Sequence, residues 1–391
     1  MADIRPFRGI RFNTGKVLLG RVLCPPYDAI LPAHAQTLRR EKLNAIHLEL
    51  PEGDGARKYR NSAAVWKRWN ATGLLAADGV PALYVCEQRF KLGGRLLVRR
   101  GFLAAMGVSE TAAKAVVRHE KTLPKPKADR LRILRATRVN ISPIFGIFPD
   151  AAGAVRRAIA SVAKAKPAAS GRMAPGIDYR LWSVSDEKVV SGICRALKRE
   201  RVLIADGHHR YEVSRAYFAQ HPSPESSTVL IYLCPETDGG LVVLPTHRIS
   251  TAGAAVVRAE KLCQMTPCAS RDKMMRLLER SANPYAFGLF DGRFRLAEPA
   301  GANGCRSGLC VEWLRSNLFS DVEPDQIGYT PDAAAAVAMA KAKSGAAFFV
   351  KPMRVAQIRK AVAAVGLLPQ KSTYFYPKIA TGLVFKPLYK L

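Results

Sequence analysis

The apolar run RVLIA (201–205) passes directly into DGHHR (206–210) and then into a segment in which Tyr211, Val213, Tyr217 and Phe218 recur at roughly helical spacing. A short buried strand, a tight turn at Gly207 and a helix from 207 to 221 is the reading this pattern imposes. It constrains the chain to an architecture in which strands and helices are layered on one another, because a strand that feeds straight into a helix must be covered by it.

The flanking segments extend the same reading. PALYVCEQRFKLGGRLLVRRGFLAAMGV (81–108) predicts a β-hairpin around Gly93 and Gly94, preceded by a helix near AAVWKRWNATGLL (63–75). After the helix at 207–221, STVLIYLCPE and LVVLPTHRIS predict two strands joined by a turn at Asp238, Gly239 and Gly240. FGLFDGRFRL (287–296) predicts a second hairpin, with Asp291 and Gly292 suited to a type I′ turn. An apolar helix from Pro331 to Ser344, a strand at AAFFV and a helix near RVAQIRKAVAAVG follow. The fold class expected is therefore mixed α/β. The Ala/Lys-rich run ending in AKAKPAASGRMAPG (162–175) reads as a linker, which places an N-terminal mixed α/β region at 1–160, a central region at 176–250 and a C-terminal α/β region at 251–391, together one multi-lobed unit.

At 391 residues the chain is long enough for more than one core, and 48% hydrophobic with 24% charged residues is a globular rather than a disordered composition. Its longest apolar stretches, such as AAAAVAMA (333–340), fall well short of the roughly 20 residues of a membrane span. The start MADIRPFRGIRF has no apolar core of a secretory signal, so a cytoplasmic location is expected. Lys and Arg outnumber Asp and Glu by 61 to 31, a net charge of +30 spread along the chain. That balance fits a solvated basic surface, a nucleic-acid partner or anionic small substrates such as nucleotides. Of the eight cysteines, Cys263 with Cys268 and Cys305 with Cys310 form two C-x4-C pairs. The gap is wider than the usual two residues of a thiolate zinc site, and no knuckle glycine flanks it.

Five segments carry candidate chemistry. In DGHHR, the backbone N–H groups of a helix start and the partial positive charge there suit a phosphate, and Gly207 lets the backbone approach it. His208, His209 and Arg210 add donors, while Asp206 is placed to hold Mg²⁺ or to receive a substrate proton. Adjacent helical histidines diverge by about 100°, which argues against a shared metal. The plainer alternative makes Asp206 an N-cap and the histidines a surface pair. RHEKTLPKPKADR (118–130) sets His119, Glu120, Asp129 and Arg130 around a Pro-rich basic loop with Lys125 and Lys127. Glu120 is a candidate base or second metal ligand, and the alternative is a solvated loop before a basic helix. LPTHRI offers Thr246, His247 and Arg248 as a clamp for a carboxylate or phosphate, or else an exposed strand end. GLLPQKST (366–373) lacks the second glycine and the spacing of a phosphate loop, although Lys371, Ser372 and Thr373 remain candidate phosphate contacts. CPPYDAI adds Asp28 as a second-choice acid.

Taken together, PFRGIRF (6–12), CPPYDAI (24–30), HEKTLPKPKADRLRIL (119–134), NISPIF (140–145), LIADGHHRYE (203–212), LPTHRI (244–249) and KSTYFYPKIATGLV (371–384) resemble domain-of-unknown-function family 1015, related in part to free L-serine kinases and the ParB/sulfiredoxin-like fold. The resemblance implies a ParB/sulfiredoxin-like nucleotide-binding core with additional mixed α/β sub-domains. It implies transfer of a phosphoryl group from ATP or ADP, with Mg²⁺, to the hydroxyl of serine or a similar metabolite, the D-G-H-H-R segment lying at the phosphates. Only that segment carries over residue by residue. The kinases' catalytic glutamate lies outside it, which leaves Asp206, Glu120 and His209 as candidates for proton transfer. Two other readings stay open: a ParB-like nucleic-acid clamp or nuclease, and a nucleotide sensor without catalysis. Against the clamp, two strands rather than a helix-turn-helix follow the helix at 207–221.

Overall fold

The alternating apolar runs of the first 235 residues assemble into one nine-stranded sheet, in a computed structural model that describes residues 1–173, 176–323 and 326–391. Its strands are β1 (Ile4–Arg5), β2 (Leu83–Leu92), β3 (Arg95–Gly107), β4 (Val116–Val117), β5 (Ile144–Phe148), β6 (Ala169–Met173), β7 (Ile177–Val184), β8 (Val202–Asp206) and β9 (Thr228–Pro235). They lie in the order β4-β8-β5-β9-β3-β2-β7-β6, and β1 takes up the edge of β3 beyond Tyr84. Only the pairs β4 with β8 and β5 with β9 are parallel. The expected hairpin is β2 and β3, turned at Gly93 and Gly94, both with positive φ as its two-residue turn requires.

Period-two alternation sorts each strand between two apolar layers. Val85, Phe102, Ile144, Ile204, Ile231 and Leu233 enter one core with Ile159 and Leu197, from the helices Ala154–Val162 and Glu187–Leu197. On other elements of the same unit, helices α1 (Gly55–Ala71), α2 (Pro124–Thr137) and α3 (His208–Gln220) pack on one another, α1 against α2 and α2 against α3. The chain's final stretch belongs here too, since this unit comprises residues 1–117, 122–241 and 377–391. Arg99, fully buried and stacked at 4.6 Å over Phe145, donates to Gln88 and to the carbonyl of Pro377, and Gln88 donates to the carbonyl of Lys378 at 3.3 Å.

The second unit comprises residues 118–121 and 242–376. Its antiparallel sheet contains His247–Ser250, Cys263–Cys268, Phe287–Phe290, Phe294–Pro299, Gly328–Thr330 and Ala346–Phe349. Alternation again divides two layers: Phe287, Leu289 and Phe348 pack with Trp313 on one side, and Phe290, Ala347 and Phe349 pack with Met274 and Leu278 on the other. The helix Ala333–Ala342 starts where its cap dictates, with the Asp332 carboxylate accepting from the backbone of Ala334 and Ala335 at 2.7 and 2.8 Å.

Several expectations need correction. The stretch 242–250 is not one strand paired with its predecessor: Val242–Leu244 pairs with Tyr374–Tyr376, and His247–Ser250 joins the six-stranded sheet. The loop at Asp291 and Gly292 has three residues, because Phe290 faces Phe294, so it is not a two-residue type I′ turn. The supposed Pro-rich loop is largely helix: α2 begins at Pro124, where a missing N–H costs nothing, and holds Lys125 and Lys127. Helix α1 begins at Gly55, before the apolar spacing becomes visible. Within the proposed linker, Ala169–Met173 is strand β6, paired with β7, while its last two residues, 174 and 175, lie outside the described residues. Among the described residues no helix is long and apolar enough to cross a membrane.

Candidate functional site

Asp206 is the last residue of β8, and the local sequence explains where its carboxylate goes. The β8–β5 ladder slips between Ile204 and Asp206, leaving Ala205 unpaired in a bulge that bends the strand end. Gly207 follows at φ +93°, a left-handed conformation that suits glycine, and α3 begins at His208. The first turn of α3 returns Arg210 to Asp206, with Arg210 Nη2 and Asp206 Oδ2 2.5 Å apart. Asp206 Oδ1 meets Lys378 Nζ at 2.7 Å, and the same ammonium donates to Asp28 Oδ2 at 2.5 Å. Three residues separated by up to 350 positions thus form a carboxylate–ammonium–carboxylate bridge. Burial works against the charge on Lys378, but Asp206 and Asp28 more than offset it and raise its pKa. Burial likewise opposes charge on Arg210, and Asp206, Asp28 and Glu49 raise its pKa.

Further charged groups pack together within the same unit. Arg130 stacks on Tyr27 at 4.2 Å, donates to the Glu49 carbonyl at 2.7 Å and pairs with Asp129, which also accepts from Lys58 at 2.8 Å. Burial alone would raise the Asp129 pKa; Arg130 and Lys58 overcome it and hold that carboxyl at about 2. The buried Glu49 carboxylate accepts from the backbone of Tyr27 at 3.0 Å and from Ser142 Oγ at 3.1 Å. Burial, with Asp28 adding to it, pushes the Tyr27 phenol up to about 12.

The DGHHR residues divide by role. His208 is buried. His209 Nε2 accepts from the backbone of Leu123 at 2.9 Å, so in the neutral ring Nδ1 carries the proton. Glu212, one turn on, accepts from Thr122 and Lys127 at 2.7 and 3.0 Å, which fastens the start of α2 to α3. Arg210 departs from expectation: its terminal nitrogens are taken by Asp206 and the carbonyl of Pro143, so it braces the turn instead of presenting a fork to it. The histidines are likewise not a surface pair.

The remaining predicted residues lie in the second unit. Glu120 accepts from the backbone of Lys371, itself at φ +54°, at 2.9 Å. His119 Nε2 meets Thr373 Oγ1 at 2.9 Å, and Ser372 Oγ donates to the Pro369 carbonyl at 2.6 Å. Thr246, His247 and Arg248 are all buried, which removes the exposed strand end as an alternative. Arg248 donates to the Thr246 carbonyl at 2.6 Å and lies 5.8 Å from the Tyr329 ring centroid, with no ion pair among the described residues. Thr246 Oγ1 is buried with no hydrogen-bond partner among them. Burial, then Arg248, pushes the His247 pKa down to about 4, and its Nδ1 accepts from the backbone of Val350 at 3.3 Å. The cysteines of the two C-x4-C pairs are free thiols, and the described residues hold no group of three or more metal-ligating side chains.

The family model described as a protein of unknown function, DUF1015, matches residues 4–300. The chain belongs to this family. No curated protein gave a significant match to this DUF1015 chain. Solved structures similar to it include a free serine kinase in complex with AMP (13% identity, 72% of this chain and 92% of that one, TM-score 0.38). Others are SbnI with a C-terminal truncation from Staphylococcus aureus (12%, 73% and 87%, 0.42) and a conserved hypothetical protein from Pyrococcus furiosus (12%, 72% and 95%, 0.38).

Sequence reasoning missed Lys378 and Glu49 as parts of the cluster, whereas Tyr27 stood beside Asp28 in CPPYDAI. Lys378 lies in KSTYFYPKIATGLV, one of the family-like blocks, but a lone lysine there carries no spacing that points to an aspartate 350 residues away.

Proposed function

We propose that the protein is a nucleotide-dependent small-molecule kinase that phosphorylates the hydroxyl of free L-serine or a similar metabolite. The observation that carries this reading is Asp206: a carboxylate on a bulged strand end, braced by Arg210 and Lys378, directly before a positive-φ glycine and a helix start. The nucleotide and the serine are the choices that the resemblance implies.

In this reading the phosphates of ATP or ADP sit on the backbone N–H groups that open α3, at Gly207, His208 and His209. His209 and Arg210 remain candidate contacts from the same turn, and Lys378 supplies positive charge beside Asp206. Asp206 receives the proton of the acceptor hydroxyl; with both flanking cations fixed, it needs no reorganisation to do so. Arg210, Asp129 and Arg130 position this cluster. Mg²⁺ commonly takes one or two carboxylates together with phosphate oxygens, but both Asp206 oxygens are held by Arg210 and Lys378 and Asp28 Oδ2 by the same Lys378, so these carboxylates do not fit the ion while that bridge stands. Glu120 stays the alternative base or ligand, with His119 and the Lys371–Ser372–Thr373 segment as candidate phosphate or substrate contacts.

Within the second unit, Arg248 and Thr246 are candidates for holding a carboxylate or phosphate: a buried guanidinium with no ion pair among the described residues, next to a buried hydroxyl with no hydrogen-bond partner among them, is an arrangement that an incoming anion completes. His247 stays neutral beside them.

Phosphorus NMR with ATP or ADP, Mg²⁺ and serine tests the proposal. Phosphoserine should form with the wild-type protein and fall at least 100-fold with Asp206→Asn, while calorimetry still registers nucleotide binding. Nucleotide binding without any phosphorylated product from small hydroxyl acceptors would leave the sensor reading instead.

A further inference from the structure

Lys386 lies in the two-residue strand Lys386–Pro387, which pairs with Val139–Asn140, and only 4% of it is exposed. Its stem is enclosed, yet no carboxylate meets its ammonium: its hydrogen bond goes to the backbone carbonyl of Glu225 at 2.7 Å, and the Glu225 carboxylate makes no ion pair among the described residues. Lys386 borders a cleft of about 370 Å³, a size that holds a small metabolite. The charged and titratable groups of the residues lining this cleft are Arg5, Arg8, Glu225, Lys386, Tyr389, Lys390 and the α-carboxylate of Leu391. Arg5 is balanced by Asp3 at 2.7 Å, and Arg8 donates to the Asp78 carbonyl and to a main-chain oxygen of Leu391. Lys390 and a protonated Lys386 therefore stand against Glu225 alone, a positive balance. None of its lining residues belongs to the Asp206 cluster.

A desolvated ammonium with one neutral acceptor is costly to keep charged. Burial accordingly drives its pKa down to about 7, with Glu225 opposing. An anion in the cleft reverses this balance by supplying the missing counter-charge. We propose that this cleft is a second binding site, for a small metabolite carrying a carboxylate or phosphate group, and that Lys386 is the buried cation that receives the anion.

Isothermal calorimetry on the full chain at pH 8, in two buffers of different ionisation enthalpy, tests this with acetate and with inorganic phosphate as titrants. Lys386 is mostly neutral at that pH, so binding of either anion should draw close to one proton from the buffer. The preferred titrant sorts a carboxylate ligand from a phosphate one. Lys386→Met should weaken binding at least tenfold, and Lys386→Arg should bind without proton uptake, because a guanidinium is already charged. Binding of neither anion overturns the proposal. So does binding by the wild-type protein without proton uptake, and so does affinity indifferent to Lys386→Met, the result expected if phosphate visits only the turn at Gly207.

Discussion

Lys378 is one ammonium holding two carboxylates from distant parts of the chain. Lys378→Met leaves Asp28 and Asp206 facing each other without it, and breaking such a partly buried set should cost roughly 2 to 4 kcal/mol in urea unfolding. Replacing Asp28 by Asn in the same background should recover part of that loss, because it removes one of the stranded charges. His247 makes a separate prediction with a definite sign. Its folded pKa is about 4 against an ordinary 6.5, so the unfolded chain takes the proton first. Its contribution is intact above pH 6.5 and is lost as pH falls to about 4, by roughly 3 kcal/mol in all. Unfolding free energies of His247→Gln measured across that window should fall less steeply than those of the wild type.

At the scale of elements, the turn between β8 and α3 depends on Gly207. Gly207→Ala places a Cβ 3.0 to 3.1 Å from the Arg210 guanidinium in a left-handed conformation and should lower stability by about 1 kcal/mol or more. The same change should weaken nucleotide affinity, which calorimetry would measure. This strand–turn–helix unit was legible in the sequence because all its signals are local: an apolar run, one glycine and helical spacing. The hairpin at Gly93 and Gly94 was legible for the same reason. Val242–Leu244 was not, because a three-residue strand takes its meaning from a partner more than 130 residues on, at Tyr374–Tyr376. Nor was the start of α2, where prolines that look like loop punctuation occupy a helix's first turn. In the candidate site, Asp206 and Arg210 could be read from spacing, and Asp28 stood as a second choice. Their dependence on Lys378 is purely tertiary. For Arg248 the sequence left a clamp and an exposed strand end both open, arginines being usually exposed, and only the packed sheet reveals its burial.

At the scale of the whole molecule, the first unit is closed by the chain's last fifteen residues, 377–391. Phe385 bridges to Ile10, Arg99 holds Pro377, and Lys378 completes the Asp206 cluster. A chain truncated after Tyr376 should therefore lose the cooperative thermal transition of this unit, as differential scanning calorimetry would show. The net charge of +30 makes a different prediction. Because that charge is spread along the chain, the protein should bind duplex DNA weakly and without sequence preference at low salt, and anisotropy titrations should show that binding vanish near physiological ionic strength. The bridge from Asp28 to Lys378 also sets an order of events during translation. The aspartate is made 350 residues before its lysine, an interval of roughly 20 to 70 s at about 5 to 20 residues per second. From residue 210 onward a nascent chain carries the D-G-H-H-R turn without the ammonium that braces it, so the Asp206 cluster is complete only once Lys378 has been added.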